Sequence, residues 1–124
     1  TGSRLFECYN KIGYYRDYMN KFFENYDFLI TPTMATTAFE VNNPPEKINS
    51  KKVSDKLWDF TPFTYYFNLT GNPAATIPVG FDDSNMPIGL QIVGKMGSEI
   101  ELLKISKQFE KILLWSNNRA KISI

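Results

Sequence analysis

Histidine is missing from all 124 residues, and its absence excludes whole classes of chemistry. Neither a Ser-His-Asp nor a Cys-His relay can be assembled within the chain, and neither can a His-containing metal site. Cysteine occurs once, at Cys8, so no disulfide can close internally. Lying within a helical pattern, Cys8 reads as a small core or half-buried residue. An excess of charge is also lacking: 14 basic and 13 acidic residues leave a net charge of +1. That balance gives no electrostatic footprint for nucleic acid or for an anionic membrane. No apolar run reaches the roughly 18 residues of a spanning helix, and the first residues do not read as a secretion signal. The expectation is a cytoplasmic chain with no cofactor, no bound metal, no nucleic-acid partner and no membrane partner.

What the chain has in quantity is aromatic side chains, with 7 Tyr and 10 Phe, inside an apolar content of 43%. This is a globular composition, long enough for one domain with a small core. The aromatics serve either core packing or an apolar contact surface. They concentrate in Phe63-Thr64-Tyr65-Tyr66-Phe67-Asn68-Leu69-Thr70-Gly71-Asn72-Pro73-Ala74, followed by Thr76-Ile77-Pro78-Val79-Gly80. An aromatic run beside Asn, Thr, Gly and Pro is expected to be buried or to face a pocket. Asn68 and Thr64 then need hydrogen-bond partners. Gly71 and Asn72 suit a helix end with positive φ, and Pro73 stops the helix. Asn68-Leu69-Thr70 matches the glycosylation sequon, here read as accidental.

Along the rest of the chain, residues 3–26 read as one long helix. Leu5, Tyr9, Ile12, Arg16, Met19, Phe23 and Tyr26 fall on one face. Arg16 on that face either snorkels over core surface or enters a buried ion pair. Phe28-Leu29-Ile30 is a strand too apolar for an exposed edge and is expected inside a sheet. Residues 34–52 read as an irregular surface loop. Ser54 caps a short helix through Leu57, Trp58 and Phe60, and a second short helix spans 63–70. Strands at about 74–80 and 88–94 flank the turn-rich Asp82-Asp83-Ser84-Asn85, which predicts an antiparallel hairpin. Gly89 in the second strand signals a close approach or a bulge. Ser98 and Glu101 form a capping box for a last helix with Leu102, Ile105, Phe109, Ile112 and Leu113 as its apolar stripe. Residues 116–124 are expected to fray.

These motifs resemble the C-terminal region of the amidase signature family. The run Phe63 to Phe81 follows that family's pattern. Tyr26-Asp27-Phe28-Leu29-Ile30-Thr31-Pro32-Thr33 is similar to its "YD-apolar-TPT" strand. Met86-Pro87-Ile88-Gly89-Leu90-Gln91-Ile92-Val93-Gly94 is similar to its "GLQ" strand, and Glu101 to Glu110 to its last helix. The resemblance covers roughly residues 4 to 115. It implies an α/β fold, with a small mixed sheet packed against two amphipathic helices. It also implies hydrolysis of carbon–nitrogen (amide) bonds by a serine nucleophile, with a second serine in a cis peptide and a lysine relaying the proton.

Those catalytic parts lie upstream of the matched region in the family, and this chain has no Gly/Ser-rich run to supply them. Its eight serines (3, 50, 54, 84, 98, 106, 116 and 123) stand isolated. By resemblance, then, the chain is a C-terminal piece of an amidase: a fragment, a truncated product or one chain of a divided enzyme. Alone it is expected to be inert, and to associate with the missing N-terminal part or with itself. The variable region 34–52 lies toward the substrate side in the family. Thr64 and Phe67 are carried over as substrate-binding candidates, Thr64 as a hydrogen-bond donor and Phe67 as an apolar wall for a small-molecule amide. They lie at i and i+3 and can share a helix face; the bland alternative has both packing on the last helix.

Two other readings remain open. One is the A subunit of the glutamyl-tRNA(Gln) amidotransferase, where the resemblance calls for an acidic residue three places before the threonine. Thr61 stands there, with Asp59 nearby but out of register. The other is a non-catalytic interaction module that reuses the fold.

Overall fold

The computed structural model describes residues 1–55 and 58–115. The tail expected to fray, 116–124, lies outside them. Helix α1 spans Gly2–Phe22, followed by strand β1 (Phe28–Pro32). Two short strands, β2 (Lys47–Ile48) and β3 (Lys51–Lys52), precede helix α2 (Tyr65–Thr70). The hairpin β4 (Ala74–Phe81) and β5 (Pro87–Gly94) leads to helix α3 (Glu99–Leu113).

The α/β class expected from the sequence holds. The main sheet has the order β1-β5-β4, and both pairings are antiparallel, so the sheet is antiparallel rather than mixed. The β4–β5 hairpin forms as its turn residues imply. Asp82 organises the turn by accepting bonds from the backbone N–H groups of Ser84 (2.9 Å) and Met86 (2.8 Å). A register shift between Pro78 and Gly80 falls opposite Gly89, so that glycine marks both a bulge and a close approach. A Cβ on Gly89 would lie 2.8 Å from Thr33 Oγ1 and 3.1 Å from Thr76 Cγ2.

The sheet faces follow from the two-residue period of its strands. One face carries Ala75, Ile77, Leu90 and Ile92, and α3 covers it with Leu102, Ile105 and Phe109. Ile92 is fully buried, with Ile77 and Leu102 closing around it. The opposite face carries Leu29, Thr31, Thr76, Gln91 and Val93, below α1 and α2. Gly71 ends α2 in the left-handed region at φ 82°, as the sequence predicts, and its N–H donates to the Phe67 carbonyl.

Several expectations change. β1 lies at an edge of the sheet, not inside it. Because α3 packs over β4 and β5, Ile30 remains about half exposed at 52%. Helix α1 stops at Phe22, short of Tyr26, and none of its residues is buried. Ile12, Met19 and Phe22 are half-buried, whereas Leu5, Tyr9 and Cys8 are exposed. Arg16 makes neither a buried ion pair nor a mere cover: its Nε donates to the Thr70 carbonyl at 3.1 Å, tying α1 to the end of α2.

The region 34–52 is not wholly irregular, since β2 and β3 pair across Asn49-Ser50, both with positive φ. Among the described residues of the expected helix at 54–60, 58–60 form a turn. Ser98 stands at the start of α3, but its hydroxyl donates to the Lys95 carbonyl (2.7 Å), so the capping box does not close. Ile112 on the predicted stripe is exposed, because α3 runs past the sheet that covers its first turns. Within the central aromatic stretch Asn68 is exposed, while Phe67, Thr70 and Asn72 are buried.

Candidate functional site

The face of the sheet under α1 and α2 is not closed. It leaves a cleft of about 520 Å³. Helix α1 supplies Tyr14, Tyr15, Tyr18 and Met19, β1 supplies Leu29 and Thr31, and α2 with its approach supplies Pro62, Phe63, Tyr66, Phe67 and Thr70. No lining residue carries a formal charge. The tyrosines are held in a chain of edge contacts: Tyr14 against Tyr15 (6.0 Å between centroids), then Tyr15 against Tyr66 (6.1 Å). Tyr65 stacks on Tyr66 at 4.6 Å and meets Trp58 edge-on at 5.8 Å. The hydrogen bond with Tyr66 pushes the Tyr65 phenol above its ordinary range, and burial adds to the shift. Such a surface suits the apolar or aromatic part of a ligand, with phenol groups at its rim for hydrogen bonding.

Of the two residues singled out from the sequence, Phe67 stands on the wall of this cleft and is 8% exposed. Thr64 stands one turn earlier at the start of α2, half-buried. Its hydroxyl donates to the Thr61 carbonyl at 3.2 Å. Thr61, where an acidic residue was sought, turns its own hydroxyl to the Trp58 carbonyl. Asp59 is committed elsewhere: its carboxylate accepts from the N–H groups of Ser54 (2.6 Å) and Asp55 (3.0 Å) and from the Ser54 hydroxyl (3.1 Å). Those backbone bonds, the Asp55 N–H first, hold its pKa below the usual carboxylate value.

A second concavity, of about 620 Å³, lies beside the first. Thr33, Thr36, Thr37 and Thr76 line it together with Phe39 and the open backbone at Gly89. Thr33 Oγ1 donates to Thr76 Oγ1 at 3.3 Å across the gap that Gly89 leaves. Thr37 Oγ1 donates to Asp82 at 2.5 Å, fastening the segment after β1 to the hairpin turn. Sequence reasoning missed this clasp and the tyrosines of α1. The spacing Tyr14, Tyr15, Tyr18 puts three phenols on one side of a helix, a signal that the apolar stripe of Leu5, Tyr9 and Ile12 obscured.

Among the described residues, the Ser54, Ser98 and Ser106 hydroxyls donate to Asp59, the Lys95 carbonyl and the Leu102 carbonyl. None of these three bonds reaches a second serine or a lysine amine. Also among the described residues, no group of three His, Cys, Asp or Glu could hold a metal ion, and no helix is long and apolar enough to cross a membrane.

The described residues thus present an uncharged aromatic cleft over an antiparallel sheet, with Phe67 on its wall. Comparison with known proteins gives that wall its family. The amidase family model matches residues 3–103, and the chain belongs to that family. It is 36% identical over 108 residues to the A subunit of the glutamyl-tRNA(Gln) amidotransferase of Nostoc sp., covering 87% of this chain and 21% of that protein. To an acylamidase of Rhodococcus erythropolis it is 30% identical over 109 residues, covering 87% of this chain and 23% of the relative. The fold superposes on a bacterial aryl acylamidase of the amidase signature family with a TM-score of 0.82 and 26% identity, covering 94% of this chain and 24% of that one. The chain thus spans about a fifth to a quarter of the length of these relatives.

Proposed function

We propose that the chain acts as the C-terminal segment of an amidase that hydrolyses carbon–nitrogen bonds of small-molecule amides. In this reading it contributes part of the sheet and one wall of the substrate pocket. The nucleophilic serine, its partner serine and the lysine come from the part of the enzyme that precedes this segment. Phe67 contacts the apolar portion of the substrate. Thr64 gives up its bond to the Thr61 carbonyl to donate to the substrate, or holds the start of α2 in place. The observation that carries the reading is the cleft itself: family residues meet tyrosines of α1 in an uncharged concavity large enough for a small amide.

The segment's partner is the N-terminal part of the enzyme, with self-association as the substitute when that part is absent. The open edge of β1 and the bare aromatic face of α1 support this. A cytoplasmic setting accompanies the reading. The test is to express the protein with its in-frame upstream sequence and assay release of nitroaniline from a nitroacetanilide. Turnover that weakens through KM when Phe67→Ala is introduced supports the proposal; a fully assembled protein with no amidase turnover overturns it.

A second reading, the glutamine-hydrolysing subunit of a tRNA-dependent amidotransferase, is favoured by the 36% identity to such a protein. Thr61 and the committed Asp59 weigh against it, since neither offers a free carboxylate to a substrate ammonium. Ammonia release from glutamine that outpaces anilide hydrolysis would reverse this preference.

A further inference from the structure

Gln91 stands at the centre of the sheet on β5, paired in register with Thr31 of β1 and Thr76 of β4, and is 4% exposed. It is a buried polar side chain where valine or isoleucine would be buried at less cost. Its Nε2 donates to Thr31 Oγ1 at 2.9 Å and to the Phe63 carbonyl at 2.7 Å. A carbonyl only accepts, so the contact with Phe63 fixes which end of the amide faces α2. Phe63, Thr31 and Phe67 all line the tyrosine cleft, while Thr76 lines the neighbouring threonine concavity. Gln91 therefore stands between a residue of each concavity, Thr31 and Thr76, and fastens the segment leading into α2 to the sheet.

We propose that Gln91 is the positioning residue for the substrate wall: through the Phe63 carbonyl it sets where Phe63 and Phe67 stand over β1 and β5. The inference rests on the reading of the cleft as a substrate pocket, and it deepens that reading. Neither side chain that Gln91 pairs with, Thr31 or Thr76, is titratable, and its contact at Phe63 is a backbone carbonyl. A carboxyl placed there by Gln91→Glu reports its own ionisation. As a carboxylate it opposes the Phe63 carbonyl; once protonated it regains one donor.

Two measurements test the proposal. In the 124-residue chain, NMR should show a Gln91 side-chain proton protected from solvent exchange. Gln91→Met should move the Phe63, Thr64 and Phe67 resonances while leaving those of Leu102 and Ile105 in place. Unmoved Phe63 and Phe67 resonances overturn the proposal whatever the enzyme's activity, so its failure is distinguishable from that of the functional reading. In the longer amidase, Gln91→Glu should raise KM about tenfold at pH 8, the effect of losing one buried hydrogen bond, with kcat little changed. At pH 5 KM should return most of the way, whereas Gln91→Met should show no such recovery. A loss equal at both pH values, or one confined to kcat, overturns the positioning role.

Discussion

Helices α1 and α3 are both amphipathic by sequence, yet they meet different fates. α3 lays Leu102, Ile105 and Phe109 onto the sheet and closes a dry core around Ile92. α1 is longer, 21 residues against 15, and buries no residue. The difference lies in what each helix finds opposite it. α3 meets Ala75, Ile77 and Leu90, an aliphatic face of matching width. α1 meets a face with a polar row, Thr31-Gln91-Thr76, and is held there by Arg16 and by tyrosine contacts that leave a cleft. Periodicity reports that a helix has an apolar side; only the partner surface decides whether that side becomes core or pocket.

The largest effect should come from the closed side. Leu102→Ala is expected to lower stability by about 2–5 kcal/mol, the range for emptying a buried leucine site. Tyr9→Ser, at an exposed position of α1, should change it by no more than about 0.5 kcal/mol. Urea unfolding of both variants checks the contrast; equal losses would break it.

Next in size is Gly89→Ala, on the open side. The new methyl would meet Thr33 Oγ1 at 2.8 Å. Overpacking of this kind costs about 1–3 kcal/mol, and thermal unfolding reads it directly. Arg16→Met follows: it removes the bond to the Thr70 carbonyl at a cost of about 1 kcal/mol. It should also loosen α1 from α2, seen as faster amide exchange along α1 with α3 unaffected.

The smallest effect concerns pH. The Thr37 hydroxyl, then the Met86 N–H, holds the Asp82 pKa below its ordinary value. A depressed carboxyl stabilises the fold fully above its unfolded pKa of about 3.9 and loses that contribution as pH falls through the lower folded value. Asp82→Asn should therefore flatten stability against pH below about 4, without altering it between pH 6 and 8 beyond a constant offset. An acid limb left unchanged in a stability titration would mean that the Thr37–Asp82 clasp contributes nothing.

Much of this was legible in the residues themselves. The hairpin at Asp82-Asn85, the αL stop at Gly71 and the close approach at Gly89 follow from turn and glycine chemistry that acts locally. The edge position of β1 and the exposure of Cys8, Asn68 and Ile112 were not legible, because each depends on where another element ends. The failed capping box is similar: Ser98 has a nearer acceptor in the Lys95 carbonyl than the motif anticipates. At the site, Phe67 reached the cleft wall from a motif, whereas Tyr14, Tyr15 and Tyr18 became lining only once α1 was placed over α2.

If this chain supplies a wall and not a nucleophile, its activity must depend on sequence that it does not contain. Nitroanilide turnover, measured on the 124-residue chain and on the protein carrying its upstream sequence, decides the matter. No turnover above the protein-free blank is expected for the chain alone, and turnover with a KM sensitive to Phe67→Ala is expected for the longer protein. Turnover by the isolated chain that disappears when one of its own eight serines is replaced would contradict this division of labour.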